Sequence, residues 1–412
     1  MRRTLVAVMA MAVITPVALA ACGKDDQKAT AWVGTSTAPT ASASADGEPV
    51  TESATVPVSL TITPAAGKTG VPVSAEIGVK VAGGKVTDVT LKDAKGTPVS
   101  GKLRDDGTSW IPAKSLSPNQ KYAATVVATA DNGQTTTQTT SFTTMGKPGK
   151  KTGTGLYLFD DRTYGVAMPV VVEFSPGIKK ADRAAVQRRL FVSTSPAQPG
   201  VWSWTSSGTQ AYYRGPEFWK PGTTIAVRVA VGGLPTGGGR YGDRDRSATA
   251  KIGRSFEMKV DNASKKMTVV QDGKTVKTMP VSLGKKGTPS SSGVMVVMEK
   301  KEATVFDTTD TDGDDGYVTD IEFAQRLTWS GQYIHSAPWS VGDQGRRNVS
   351  HGCVNVSPSN ARWLFDRTLI GDPVTVKGTG DKLSYGNGWT PWDLSWSEYI
   401  KGSALPVPAS LK

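Results

Sequence analysis

From about residue 56 the chain alternates apolar and polar residues in short runs, VPVSLTITP, VPVSAEIGVKV, VTDVTLKD and KYAATVVATA, each closed by Gly, Asp, Asn or Pro. Successive side chains of a strand point to opposite faces, so this period of two predicts half-buried strands. Their close spacing up to Met145 predicts a β-sandwich around Trp110 and the aliphatic rows, with no cysteine to staple it. Residues 146–155, GKPGKKTGTG, read as a linker. A second all-β stretch follows from 156 to about 252, with MPVVVEFS and TTIAVRVAV as strands. Within it KKADRAAVQRRLFV predicts one short helix carrying Ala185, Leu190 and Phe191. The aromatic side chains between Trp202 and Phe218 read as alternating core positions more readily than as a sugar platform.

From Arg254 a third unit begins, with strands on both sides of a QDGK hairpin at 271–274, where Asp-Gly supplies the positive φ angles of a two-residue turn. SPSNARWLFDRTLIGD predicts a helix with Ser357 as cap, Pro358 in the first turn and Gly371 as stop. The Trp-rich tail GNGWTPWDLSWSEYIKG is expected to fold back on this unit as a small subdomain. The fold class is therefore mostly β, with two sandwiches followed by a β-rich unit containing one main helix. LSPNQKYAATV, residues 116–126, resembles the tyrosine corner of immunoglobulin-like folds, with Tyr122 at the corner. The resulting division is 56–147 and 148–253 for the sandwiches, 254–378 for the third unit and 379–412 for the tail.

The first 55 residues change the picture from fold to location. Arg2 and Arg3 precede an apolar run from Leu5 to Ala21, too short for an ordinary spanning helix and suited to an export signal over 1–21. LAAC, ending at Cys22, resembles the lipobox of bacterial lipoproteins, which implies lipidation of Cys22 and a membrane tether outside the cytoplasm. An ordinary signal cleaved near Ala21 is the alternative. Residues 22–55 hold almost nothing apolar beyond Trp32 and Val33, so they read as a flexible tether.

The formal charge is +12, and +10 without the two signal arginines. Such a balance favours wall polymers, head groups and carboxylate-bearing peptides, while no basic run interleaved with aromatics points to nucleic acid. Lipidation of Cys22 would leave Cys353 unpaired in an oxidising compartment, as a reactive thiol or an inert core residue.

Both histidines and Cys353 fall within residues 335–357, HSAPWSVGDQGRRNVSHGCVNVS. A thiol needs a base to become a nucleophile, and His335 and His351 are the candidates. In an extended segment His351 and Cys353 would share a face, and Gly352 would let the backbone turn closely around a carbonyl. The segment resembles the motif of the YkuD-type L,D-transpeptidases: His335, fourteen intervening residues, then Ser350, His351, Gly352, Cys353, hydrophobic Val354 and Asn355. The layout of lipobox, tether, two sandwiches, catalytic unit and Trp-rich tail is similar to the actinobacterial lipoprotein members.

The resemblance implies an L,D-transpeptidase catalytic domain over 254–378. Cys353 would attack the third residue of a peptidoglycan tetrapeptide stem and expel D-Ala, and an amine of a second stem would complete a 3→3 cross-link. It makes His335 the base, the Ser336 carbonyl its orienter, and His351, Gly352 and the Cys353 amide the oxyanion hole. Ser350 and Asn355 flank the substrate, with Asn355 also suited to bracing the loop. Residues 301–325 would form a lid, with Tyr317 and Trp339 touching substrate. Carbapenem-type β-lactams are expected as covalent inhibitors, and no cofactor or metal is called for.

Rival readings remain. Two histidines and a cysteine could hold zinc, although the motif itself supplies no Asp or Glu as base for a metal-activated water. Asp310, Asp312 and Asp314 invite a calcium loop, but position six is Asp315 and position twelve Ile321, so a solvated acidic loop is expected. Hydrolysis of the same acyl-enzyme would make an L,D-carboxypeptidase. An inactive wall-binding lipoprotein, with the sandwiches as stalk or adhesion modules, is the reading from outside enzymology.

Overall fold

Alternation becomes burial wherever a run finds a partner sheet. The computed structural model describes residues 58–307, 309 and 318–412, and all structural statements below concern these. In the strand Lys121–Thr129, Tyr122, Ala124, Val126 and Ala128 are buried while their neighbours face outward. That strand lies in a sheet ordered Lys68–Val71, Thr135–Thr144, Lys121–Thr129, Lys85–Asp93. The opposing sheet runs Ser59–Thr63, Ile77–Ala82, Ser109–Pro112, Gly101–Leu103, and Ile77, Leu91, Trp110 and Phe142 fill the space between. The Tyr122 hydroxyl accepts the Ser117 amide at 2.9 Å and its ring stacks on Phe142, which closes the corner expected there.

The second sandwich pairs a four-stranded sheet with a six-stranded one. Its strand Lys151–Leu156 occupies half of the segment that reads as linker, because pairing with Val170–Ser175 supplies the hydrogen bonds that a Gly-Thr sequence cannot call for by itself. The helix shrinks to Arg183–Gln187 after a short 3-10 turn, since Leu190 begins the next strand. Trp202, Trp204, Tyr212 and Trp219 are all buried, as core positions should be.

The third unit stacks a six-stranded sheet on a four-stranded one. The first is ordered Lys274–Pro280, Lys266–Gln271, Phe256–Asp261, Pro373–Lys377, Ser291–Val296, Asp381–Lys382. The second runs Glu299–Asp307, Val318–Arg326, Tyr333–Ser336, Val354–Val356. Met258, Val260, Val269 and Val374 from one meet Ile334, Val354 and Val356 from the other, with Ala361 and Leu364 of the helix Pro358–Arg367. Asp272 and Gly273 take φ of 48° and 79°, the conformation a two-residue hairpin needs. Ser357 caps the helix by accepting the Asn360 amide at 3.3 Å. The helix stops at Thr368, whose extended backbone ends it before Gly371; Gly371 instead serves a close approach to Met168.

The tail corrects an expectation. Its start, Asp381–Lys382, adds an edge strand to the third unit as expected, but its aromatic residues dock chiefly on the second sandwich. The Tyr399 hydroxyl donates to the Tyr212 carbonyl at 2.7 Å and the Trp392 indole to the Ala167 carbonyl at 2.6 Å. The physical reason is Arg214: it is 2% exposed, donates to the Pro391 and Leu394 carbonyls, and lies 4.2 Å from the Tyr399 ring centroid. A buried cation gains from π-faces and carbonyls, and the tail provides both.

Candidate active site

The strands Tyr333–Ser336 and Val354–Val356 run parallel, with Ile334 opposite Val354 and His335 opposite Asn355. Ile334, Val354 and Val356 face the core, so the pleat turns His335 and Asn355 to the other side. There His335, Cys353, Asn355, Ser350, His351, Trp339, Thr319 and Val349 line a cleft of about 310 Å³, near the lower end of the roughly 300–1,000 Å³ usual for small-ligand sites.

His335 is 2% exposed, and its Nδ1 lies 2.8 Å from the Ser336 carbonyl. A carbonyl only accepts, so Nδ1 carries the proton and Nε2 keeps its lone pair. Burial lowers the imidazole pKa to about 4, against the opposing pull of the Ser336 carbonyl and the Asn355 side chain. The ring is flanked by Trp339, centroids 6.0 Å apart, and by Phe306 at 5.5 Å. Trp339 is 58% exposed, which leaves its face open toward the cleft mouth and solvent.

Cys353 is a free, buried thiol whose Sγ lies 3.7 Å from the Gly331 carbonyl. Burial pushes its pKa up to about 12, and the Tyr333 backbone amide offsets this only in part. The resting site therefore holds a neutral thiol and a neutral base.

Residues 350–353 form a turn, which corrects the extended segment expected for His351 and Cys353. Gly352 has a φ of 120°, outside the reach of ordinary L residues, so the chain bends between them. Ser350 Oγ donates to the Cys353 carbonyl at 2.7 Å and accepts the Gly352 amide at 3.2 Å. Ser290 Oγ donates to the Gly352 carbonyl at 2.7 Å while accepting the Gly284 amide at 3.0 Å. The Ser350 hydroxyl is thus occupied in holding the turn, and Asn355 Nδ2 donates to Ser340 Oγ at 3.2 Å, which fixes the segment bearing Trp339.

His351 Nε2 lies 2.9 Å from Lys285 Nζ. Sequence reasoning passed over Lys285, Ser290, Gly331 and Phe306, since they reach the site from strands and turns outside the motif. Only Phe306, in the alternating run ATVFD, gave any local signal. Among the described residues no group of acidic, histidine and cysteine side chains is arranged to hold a metal ion. Tyr317, the aspartates of the calcium reading and Cys22 lie outside the described residues.

Comparison with known proteins places these features in company. Residues 255–376 match the YkuD family, L,D-transpeptidase catalytic domain, and residues 68–235 match a bacterial Ig domain family. L,D-transpeptidase 2 of Mycobacterium tuberculosis is 35% identical over 343 residues, covering 82% of this chain and 83% of that protein. L,D-transpeptidase 5 of the same species is 34% identical over 360 residues, covering 85% and 78%. A solved L,D-transpeptidase in complex with imipenem is 33% identical, covers 56% of this chain and all of its own, and superposes with a TM-score of 0.47.

Proposed function

Since the chain belongs to the L,D-transpeptidase family, we propose that it forms 3→3 cross-links between peptidoglycan stems by acyl transfer through Cys353. The observation that carries this reading is the convergence of Cys353 and an Nε2-basic His335 on one cleft. A tetrapeptide donor places the carbonyl of its third residue at the thiol. His335 Nε2 takes the thiol proton as sulfur attacks, and returns it to the amide nitrogen as the carbon–nitrogen bond breaks and D-Ala leaves. An amine of a second stem then attacks the thioester; His335 accepts the amine's proton, and Cys353 departs to be reprotonated.

The negative charge of each tetrahedral intermediate falls at the turn. The Gly352 amide is spent on Ser350 Oγ, so Gly352 acts through its backbone shape, and the Cys353 amide with His351 serves the oxyanion. Removing one such donor typically costs about 3 kcal/mol of transition-state stabilisation. Ser336 acts through its carbonyl, Trp339 offers an exposed face to the stem, and Tyr317 is placed by the sequence in the lid. A strained β-lactam amide can follow the first half of this path, so carbapenems should acylate Cys353.

The LAAC site supports lipidation at Cys22 and placement outside the cytoplasmic membrane, with the tether and sandwiches as a spacer toward the wall. Intact mass spectrometry of the purified protein with a tetrapeptide stem tests the chemistry. The expected result is an acyl adduct absent from Cys353→Ala, and a dimer one D-Ala lighter than two stems. D-Ala release with no dimer would make the enzyme a carboxypeptidase, and an adduct surviving in Cys353→Ala would remove the thiol from the mechanism.

A further inference from the structure

Beside the cleft, in contact with His351 of its lining, stands a cation that the transfer chemistry above leaves unused. Lys285 is half-buried in the turn 284–290, which is bound to the catalytic turn along its length. The Lys285 amide donates to the Ser350 carbonyl at 2.8 Å, and the Ser350 amide to the Leu283 carbonyl at 3.0 Å. Gly284 lets the turn 284–290 close tightly on itself, because a Cβ there would stand 2.1 Å from the Thr288 carbonyl oxygen. The Lys285 backbone is therefore fixed relative to Cys353, and its ammonium is held 2.9 Å from His351 Nε2.

An ammonium only donates, so it occupies the His351 lone pair and retains further N–H donors. No carboxylate lies within ion-pair distance of Lys285 among the described residues, and none of the residues lining the cleft is acidic. Lys286 beside it is exposed, and Arg346 and Arg347 stand on the neighbouring loop, which Asn348 and Ser282 tie to the same strand end. Asp343 is the acid of that loop, and it is already paired with Arg347. Among the described residues the site thus presents positive charge, with the one acid of the neighbouring loop already paired.

On the reading that the donor is a tetrapeptide, we propose that Lys285 recognises the carboxylate ending the donor stem, as counter-ion to the amino acid that leaves. That carboxylate is separated from the scissile carbonyl only by the amide nitrogen and one carbon, so it must lie beside the turn that holds the oxyanion. A donor-only cation at that edge pairs with it through charge-assisted hydrogen bonds. The same charge repels a protonated amine, which assigns this edge to the donor arm and leaves the acceptor to approach elsewhere. Lys285 is then a specificity-determining residue, separating a free stem end from a linked or amidated one.

The test measures acylation of Cys353 by a tetrapeptide donor with a free terminal carboxylate and by its C-terminal carboxamide, in the purified wild type, Lys285→Met, Lys285→Gln and Lys285→Arg. The wild type should prefer the free acid in kcat/KM by about 10- to 100-fold, the range of a charge-assisted hydrogen bond. The difference should lie mainly in KM and shrink with added salt. Lys285→Met and Lys285→Gln should collapse the ratio toward one, and Lys285→Arg should retain most of it. A wild type that takes both donors equally, or neutral variants that slow both donors by one factor, would overturn the assignment and leave Lys285 as a support for His351. Acylation by neither donor would overturn the transfer reading, and this inference with it.

Discussion

With the thiol held up to about 12 and the imidazole down to about 4, neither partner is charged at neutral pH, and burial is the leading cause of both shifts. A preformed thiolate–imidazolium pair would need the opposite ordering. Iodoacetamide, which needs thiolate and makes no use of the oxyanion site, should alkylate Cys353 at pH 7 about 1,000-fold more slowly than an exposed cysteine, reflecting the difference from the usual thiol value of about 9. Acylation by a stem or a carbapenem should remain, with the acid limb of kcat/KM falling near pH 4, where His335 gains its proton. Stability bends the same way: the unfolded imidazole binds a proton from about pH 6.5 and the folded one only near 4, so folding loses free energy as pH falls through that window. A pH-independent alkylation rate from pH 5 to 8 would show that an ion pair exists after all.

At the scale of elements, the active turn is a short irregular segment given the rigidity of a strand by its hydroxyls. Ser290, 1% exposed, bridges the Gly284 amide and the Gly352 carbonyl, and Ser350 closes the turn onto the Cys353 carbonyl. Ser290→Ala orphans one buried donor and one acceptor, an expected cost of about 2–3 kcal/mol in denaturant unfolding. Because the lost bonds position Gly352 and Cys353, carbapenem acylation should also slow by about 10-fold or more while the fold is retained. Ser290→Cys, which restores bulk but a poor hydrogen bond, should recover little. An unchanged acylation rate in a folded Ser290→Ala protein would assign the turn's geometry to the strand pairing alone.

For the whole molecule, Glu76 joins the two sandwiches. It accepts from Arg104 of the first and from Arg189 of the second, each at 2.6 Å, and Ser109 donates to it as well. Burial pushes this carboxyl up, but those donors outweigh it and hold the pKa at about 2, below the usual 4.5. A lowered carboxylate pKa contributes stability that is complete above about pH 4.5 and lost as pH falls toward 2, on the order of 3 kcal/mol for this shift. Glu76→Gln should lose most of that in urea unfolding at pH 7 and little at pH 2.5. Carbapenem acylation should stay at the wild-type rate, since Glu76 is no part of the cleft. Equal destabilisation at both pH values would locate the effect in packing.

Much of this protein was legible in one dimension because its signals are local. Strand alternation, the Asp272–Gly273 hairpin, the Ser357 cap and the Tyr122 corner each depend on neighbours a few residues away, and the His335 to Asn355 spacing sits within one stretch of chain. The rest depended on groups that meet only after folding. A Gly-Thr segment became the strand Lys151–Leu156 because a sheet edge was there to pair with it, and the tail chose the second sandwich because Arg214 is buried there. The neutral resting state of Cys353 and His335 is likewise a property of their burial, and Lys285, 66 residues from His351, entered the site only through strand pairing. The sequence by itself determined which chemical groups the protein carries and the periodicity of its strands; tertiary structure decided their solvation, protonation and company, because those depend on distance in space.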